Sequence, residues 1–218
     1  MFRFLMTALF SQVVFSQFQI SKKDTTYVYN LNSFRGTGLN PSPTDQLDSD
    51  DWATAGISGT TAFGATNTDA ALSRGATTGG VGNTGGLYAY HVSGSSHYAI
   101  LIRPTNSVFN TGSITLRVEN NTSEPIVNLR FAYDIRVNNN NNHSHSLNFS
   151  YSTDNSTYTS ISALNYSSPQ ASDGNGVVFA ATKKDTITNL YIAAGGYVYL
   201  RWSGANVSGN GQYDELIL

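Results

Sequence analysis

Strict period-two alternation constrains this chain more than any other feature. Across residues 128–137, Leu129, Phe131, Tyr133, Ile135 and Val137 alternate with Arg130, Ala132, Asp134 and Arg136. Near the end, Val198, Leu200 and Trp202 alternate with Tyr197, Tyr199 and Arg201. Successive β side chains point to opposite faces, so each run predicts a strand with one core-facing and one solvent-facing side. Weaker runs recur at 87–92, 98–103, 113–119, 147–151, 158–163, 177–181 and 186–192, and no helical period of comparable strength competes with them. Short strands at turn-rich spacing predict an all-β fold: a two-sheet antiparallel β-sandwich of jelly-roll type. Phe131, Tyr133, Ile135, Phe149, Leu200 and Trp202 are its expected core, with Trp52 beside them. Residues 196–218 read as a strand, a polar turn over 203–212 and a last strand, a pair that closes the sandwich.

The rest of the chain reads as connections. Residues 32–58 carry prolines and glycines, with Asp45, Asp48, Asp50 and Asp51 clustered before Trp52, and predict an ordered loop followed by a strand over 53–57. Residues 59–86, rich in Gly, Thr and Ala, predict a long surface loop. Residues 138–145, NNNNNHSH, predict a low-complexity loop.

Composition narrows the function classes. Only 12% of the 218 residues are charged, about half the usual share. Tyr, Thr, Ser, Asn and Gly fill the difference, a habit of secreted β-rich proteins. Twelve basic residues against fourteen acidic ones give a net charge of −2 and no basic stripe, which argues against nucleic-acid binding. The absence of cysteine excludes disulfides, thiolate metal sites and a Cys nucleophile.

The N-terminus reads as a processing signal. Arg3 precedes a mostly apolar run from Phe4 to Phe15, and Val14 and Ser16 fit the small-residue rule at a cleavage site. Residues 1–16 are therefore the expected signal peptide, 17–26 a polar lead-in and 27–218 the sandwich. The competing reading of 1–16 is a buried N-terminal strand or short helix. The run is too short to span a bilayer, and no later stretch resembles a transmembrane helix. The expected location is outside the cell or on its surface. The ending Leu216-Ile217-Leu218, apolar and without a tail, leads us to expect further domains in a longer secreted chain.

The motifs SFRGTGLNPSPTDQLDSDDW, GGVGNTGGLYAY, SITLRVENNT, FAYDIRV, LNFSYSTDNSTYTSI and YLRWSGANVSGNGQYDEL, in that order, resemble a β-sandwich accessory module of large secreted bacterial proteins. Such modules stand beside lamin-tail-like, nuclease or other hydrolase, and C-terminal sorting domains. The resemblance spans residues 27–218 and implies a non-catalytic module. The chain is also similar to jelly-roll carbohydrate-binding modules, in which an acid at the start of the last strand often meets the N-terminal strand at a structural calcium. That likeness implies Asp214 as a calcium ligand, with Asn32 or Ser33 where those modules often carry an acid. The competing reading is that Asp214 caps backbone amides or pairs with Arg201.

No nucleophile elbow, H-E-x-x-H or phosphate-cradling glycine motif occurs, and the expectation is a binding module rather than an enzyme. The pair Asp50-Asp51 would serve glycoside hydrolysis only if its carboxylates were held across a cleft. His143 and His145 project as a pair from the Asn-rich loop; they read as solvated loop residues or as two ligands short of a metal site. Tyr197, Tyr199 and Arg201 share one outward strand face, and Arg130, Asp134 and Arg136 share another. Were the two strands neighbours, they would form a polar face with aromatic platforms, the kind on which polysaccharide rings stack while Arg and Asp bind hydroxyls. The competing reading is a cross-strand ladder that stabilises the sheet without a ligand.

Overall fold

The structure is a computed structural model and describes residues 17–218, so the expected signal peptide over 1–16 lies outside the described residues. In chain order the strands are β1 (Gln19–Ile20), β2 (Leu39–Asn40), β3 (Leu47–Asp48), β4 (Trp52–Ala55), β5 (Thr60–Thr61), β6 (Ala76–Thr77), β7 (Gly86–His91) and β8 (Tyr98–Arg103). They continue as β9 (Ser113–Asn120), β10 (Leu129–Asn138), β11 (His143–Ser152), β12 (Thr159–Ser160), β13 (Tyr166–Ser167), β14 (Val178–Ile187), β15 (Tyr197–Gly209) and β16 (Glu215–Ile217). The larger sheet runs β12-β11-β15-β9-β4-β5, with β13 beside β11 and β1 beside β9. The smaller runs β14-β10-β16-β8-β7-β6. From β9 onward the long strands alternate between sheets: β9, β11 and β15 belong to the larger and β10, β14 and β16 to the smaller. Crossing the core at each connection is the habit of a jelly roll. Pairing is antiparallel apart from three short contacts, β1 with β9, β2 with β3 and β6 with β7.

The inner faces supply one core. Trp52, Ile114, Leu116, Leu147, Phe149, Val198, Leu200 and Trp202 come from the larger sheet; Leu87, Ile100, Ile102, Ile135, Val137 and Leu216 come from the smaller. Trp202 lies 5.6 Å from Phe149, 5.3 Å from Tyr133 and 6.2 Å from Trp52, ring centre to ring centre. Such contacts add to the burial of large apolar area. Phe131 and Tyr133 are half-buried rather than buried. Their strand β10 is covered on one side only by the edge strand β14, so the margin of the core reaches solvent there.

Other expectations change with the fold. Residues 197–202 and 216–218 do not pair with each other: β15 continues to Gly209, and β16 belongs to the opposite sheet. The polar stretch after Trp202 stays in the sheet because β11 pairs with it as far as Gly209. At Gly204 a Cβ would stand 2.2 Å from the Phe109 carbonyl oxygen, so only glycine fits. The two runs at 177–181 and 186–192 are mostly one edge strand, β14, whose middle carries Lys183, Lys184 and Asp185, charges that discourage further pairing at an open edge. The polar lead-in joins the larger sheet through β1. The segment 59–86 is less superficial than expected, with Leu72 buried in the core and Val81 resting on a small apolar cluster of Tyr88, Tyr90, Leu101 and Ile217 on the outer side of the smaller sheet. Among the described residues, no helix is long and apolar enough to cross a membrane.

Candidate ligand-binding face

Strand β15 fixes the site. Burial of Val198, Leu200 and Trp202 forces Tyr197, Tyr199 and Arg201 onto the outer face of the larger sheet. Antiparallel register then sets their neighbours: Tyr197 faces Glu119, Tyr199 faces Arg117 and Arg201 faces Thr115 across β9, while Ser150 and Ser152 flank Arg201 and Tyr199 on β11. The Tyr197 and Tyr199 rings lie 6.3 Å apart, and Phe63 lies 5.7 Å from Tyr199. The Arg117 guanidinium stacks 4.5 Å from the centre of Phe63 and 4.9 Å from that of Tyr197. Its Nε and Nη2 donate to the Asp50 carbonyl at 3.0 and 2.6 Å. At the other end Arg201 lies 3.5 Å over the Tyr158 ring, and its Nε donates to Thr115 Oγ1 at 3.2 Å. Four aromatic rings and two guanidinium groups thus form one half-exposed surface whose members hold one another in place.

Burial, more than any other influence, raises the hydroxyl pKa of Tyr199 and Tyr158; Arg117 and Arg201 respectively oppose that shift. Both phenols therefore stay neutral, able to donate and accept at neutral pH.

Asp134 and Arg136 are not part of this surface. They sit on the outer side of β10 in the smaller sheet, so the core separates them from Tyr197, Tyr199 and Arg201. The expected composite face is corrected on that ground: strands that alternate between sheets send their outward residues to opposite sides of the sandwich. Asp134 accepts a hydrogen bond from Thr182 Oγ1 at 2.6 Å. Arg136 lies 5.9 Å from the Phe179 ring. The two border a shallow groove of about 260 Å³ with Val92, His97 and Ala99.

Asp214 is fully buried just before β16. Oδ1 accepts the Asn141 backbone N–H at 3.2 Å, and among the described residues Oδ2 has no partner at hydrogen-bond distance. Burial raises its pKa, opposed by the neighbouring Ser168 side chain, the Asn141 amide and the Arg103 charge. The amide cap is therefore present, and Arg201 is engaged elsewhere. Asn32, the suggested second ligand position, has its Oδ1 3.1 Å from His97 Nδ1. Asn139 Oδ1 is a second buried oxygen with no partner among the described residues, and the Asn139 backbone carbonyl accepts the Asp173 N–H at 2.9 Å. Among the described residues no three His, Asp or Glu side chains converge as a metal-ligating group.

His143 and His145 are not loop residues. They open β11 and are buried, because β15 pairs with them and Tyr213 covers them. The His143 ring stacks 3.7 Å from Tyr213; its Nδ1 lies 3.0 Å from the Gly211 carbonyl oxygen and its Nε2 3.0 Å from Asn206 Oδ1.

The face contains three residues that alternation along β15 does not reveal. Arg117 was legible in principle, since it alternates outward between Leu116 and Val118 on β9. Phe63 and Tyr158 lie outside the long strands, and only the fold brings them to the face. No protein-family model and no curated protein matches this chain.

Proposed function

We propose that this chain is a secreted, non-catalytic binding module, and that it holds a polysaccharide or cell-surface glycan on the outer face of its larger sheet. The supporting observation is the pre-set platform of Tyr197, Tyr199, Phe63 and Tyr158 with Arg117 and Arg201 between the rings. Sugar rings offer C–H faces to aromatic platforms and hydroxyls to guanidinium and phenol groups. Side chains already immobilised lose little further entropy when a ligand arrives. The test is native affinity electrophoresis through gels containing a panel of polysaccharides. Retention of the parent protein, with weakened retention and an unchanged fold for Tyr199→Ala, supports the reading.

A second reading is a spacer or protein-interaction module of a larger secreted hydrolase or nuclease. One observation favours it: guanidinium groups already cover faces of Phe63, Tyr197 and Tyr158, as a stabilising ladder requires. It predicts that Tyr199→Ala loses stability and has no retention to lose, so melting temperature and retention measured on the same protein separate the two.

A structural calcium at Asp214 belongs to the proposal as well. The unpartnered Asp214 Oδ2 and Asn139 Oδ1 are its support, although calcium requires about six to eight oxygens and hence several backbone carbonyls. Metal bound only by the folded state raises its stability by mass action. Chelation should then lower the melting temperature of the parent and not that of Asp214→Asn. Identical parent curves with and without chelator leave Asp214 as a backbone cap.

A further inference from the structure

Among the described residues neither arginine of the platform is held in an ion pair, although Asp48 and Asp51 lie within electrostatic reach of Arg117. The ion pairs among those residues join Lys23 to Glu124 and Arg103 to Glu215. They are diagonal neighbours across the β15–β9 pair, where Arg117 faces Tyr199 and Arg201 lies two residues further on. Such neighbours stand ~7–8 Å apart, close enough for like charges to reinforce one another. At the Arg201 end this places positive charge between the phenols of Tyr158 and Tyr199.

The two groups are immobilised differently. Arg117 directs Nε and Nη2 to the Asp50 carbonyl and lies against Phe63 and Tyr197. Arg201 is fixed by the Tyr158 ring and by Nε donating to Thr115. Among the described residues no hydrogen bond engages its Nη1 or Nη2, so the outer fork of a stacked, half-exposed guanidinium stays available to a ligand. A planar two-pronged donor matches a carboxylate, which accepts two parallel N–H bonds. Asp48 and Asp51 lie close enough to Arg117 to feel its charge, and two further acids flank the row. Asp154 directs its carboxylate into its own turn, accepting from Ser152 Oγ and from the Ser156 and Thr157 backbone amides. Glu119 stands opposite Tyr197, at the end away from Arg201.

We infer that the ligand of this face is a carboxylate-bearing polysaccharide, a polymer containing uronic acids. Its sugar rings lie along Tyr197 and Tyr199, and a carboxylate docks on the Arg201 fork while Arg117 supplies the second positive charge. The inference rests on the glycan-binding reading and names its substrate class.

Affinity electrophoresis with polygalacturonate, alginate and hyaluronate, their methyl esters, an uncharged glucan and dextran sulfate tests it. The expected result is retardation by at least one free-acid polymer that its methyl ester does not reproduce. Arg201→Gln should weaken that retardation by about tenfold, the worth of a charge-assisted pair, with an unchanged melting temperature. Arg201→Lys should recover only part, because an ammonium is a point charge without a fork. Equal retardation by acid, ester and glucan overturns the carboxylate inference and leaves the glycan reading standing. Retardation by dextran sulfate as strong as by the best uronate shows attraction to charge alone and also overturns it. Retention on no polymer overturns both readings.

Discussion

At the residue scale His145 is the sharpest test of the interior. Its ring is fully buried between Phe109 and Tyr213, and among the described residues neither ring nitrogen has a partner at hydrogen-bond distance. Burial pushes its pKa down to about 4, and the neighbouring His143 adds in the same direction. The unfolded chain then binds a proton that the folded chain refuses, so stability is lost as the pH falls from the ordinary imidazole value toward 4. Between pH 7 and 5 the loss is about 2 kcal/mol. Asp51 works the other way: burial raises its carboxyl to about 6, with the Phe18 amide and Tyr29 hydroxyl opposing the shift. The folded chain holds that proton more tightly, so acidification over the same range restores about 1 kcal/mol. Burial also raises the carboxyls of Asp48, Asp214 and Glu215, which act in the same sense as Asp51, so the parent melting temperature should change little from pH 7 to 5. In His145→Leu the opposing loss is gone, and the melting temperature should rise on acidification. A parallel pH profile for parent and variant would show that His145 finds a partner the structure does not include.

Strand register decides the predictions at the element scale. Phe149 on β11 is fully buried, whereas Phe131 on β10 is half-buried, although the two rings stack at 5.2 Å. Phe149→Ala should cost about 3–5 kcal/mol in denaturant unfolding, the range for large core truncations. Phe131→Ala should cost less, about 2–3 kcal/mol, since part of its surface is already wet. Equal costs would mean that β14 covers the margin of the core more fully than its exposed residues imply. On the opposite side Tyr199→Ala removes one ring from an open face, where a stability change within about 1 kcal/mol is expected.

At the scale of the whole molecule, the Arg103–Glu215 pair ties four distant segments together. Both side chains are buried, with Nη1 and Oε1 3.5 Å apart. Glu215 accepts the Val81 backbone N–H at 3.0 Å and Asn138 Nδ2 at 2.9 Å, while Arg103 donates to Gln212 Oε1 at 2.8 Å and to the Tyr213 carbonyl. Burial raises the Glu215 pKa and lowers that of Arg103; each charge partly offsets the shift of the other. Glu215→Ala leaves a buried guanidinium uncompensated and should destabilise by about 3–5 kcal/mol. The double change Arg103→Met with Glu215→Leu should lie much closer to the parent, because neither charge then has to be desolvated. If the double variant is as unstable as the single one, the pair fixes the 77–86 segment rather than merely tolerating its own burial.

Periodicity was enough to read the class of the fold and the inward-facing residues of β9, β11 and β15. It also revealed that Tyr197, Tyr199 and Arg201 share a solvent-facing side, because a two-residue repeat leaves only two sides to choose from. It could not reveal which sheet each strand enters. Asp134 and Arg136 alternate as clearly as Tyr197 and Tyr199, yet they face the opposite side of the sandwich because β10 and β15 belong to different sheets. Nor could it bring Phe63 and Tyr158 beside the arginines, since those contacts join segments far apart in the chain. Burial of His143, His145 and Glu215 likewise required the tertiary structure: polar residues at strand ends look solvated until another strand, a turn or a glycine-rich segment closes over them. Alternation is a local consequence of backbone geometry, whereas strand partners follow from which apolar faces and hydrogen-bonding edges find one another across the whole chain.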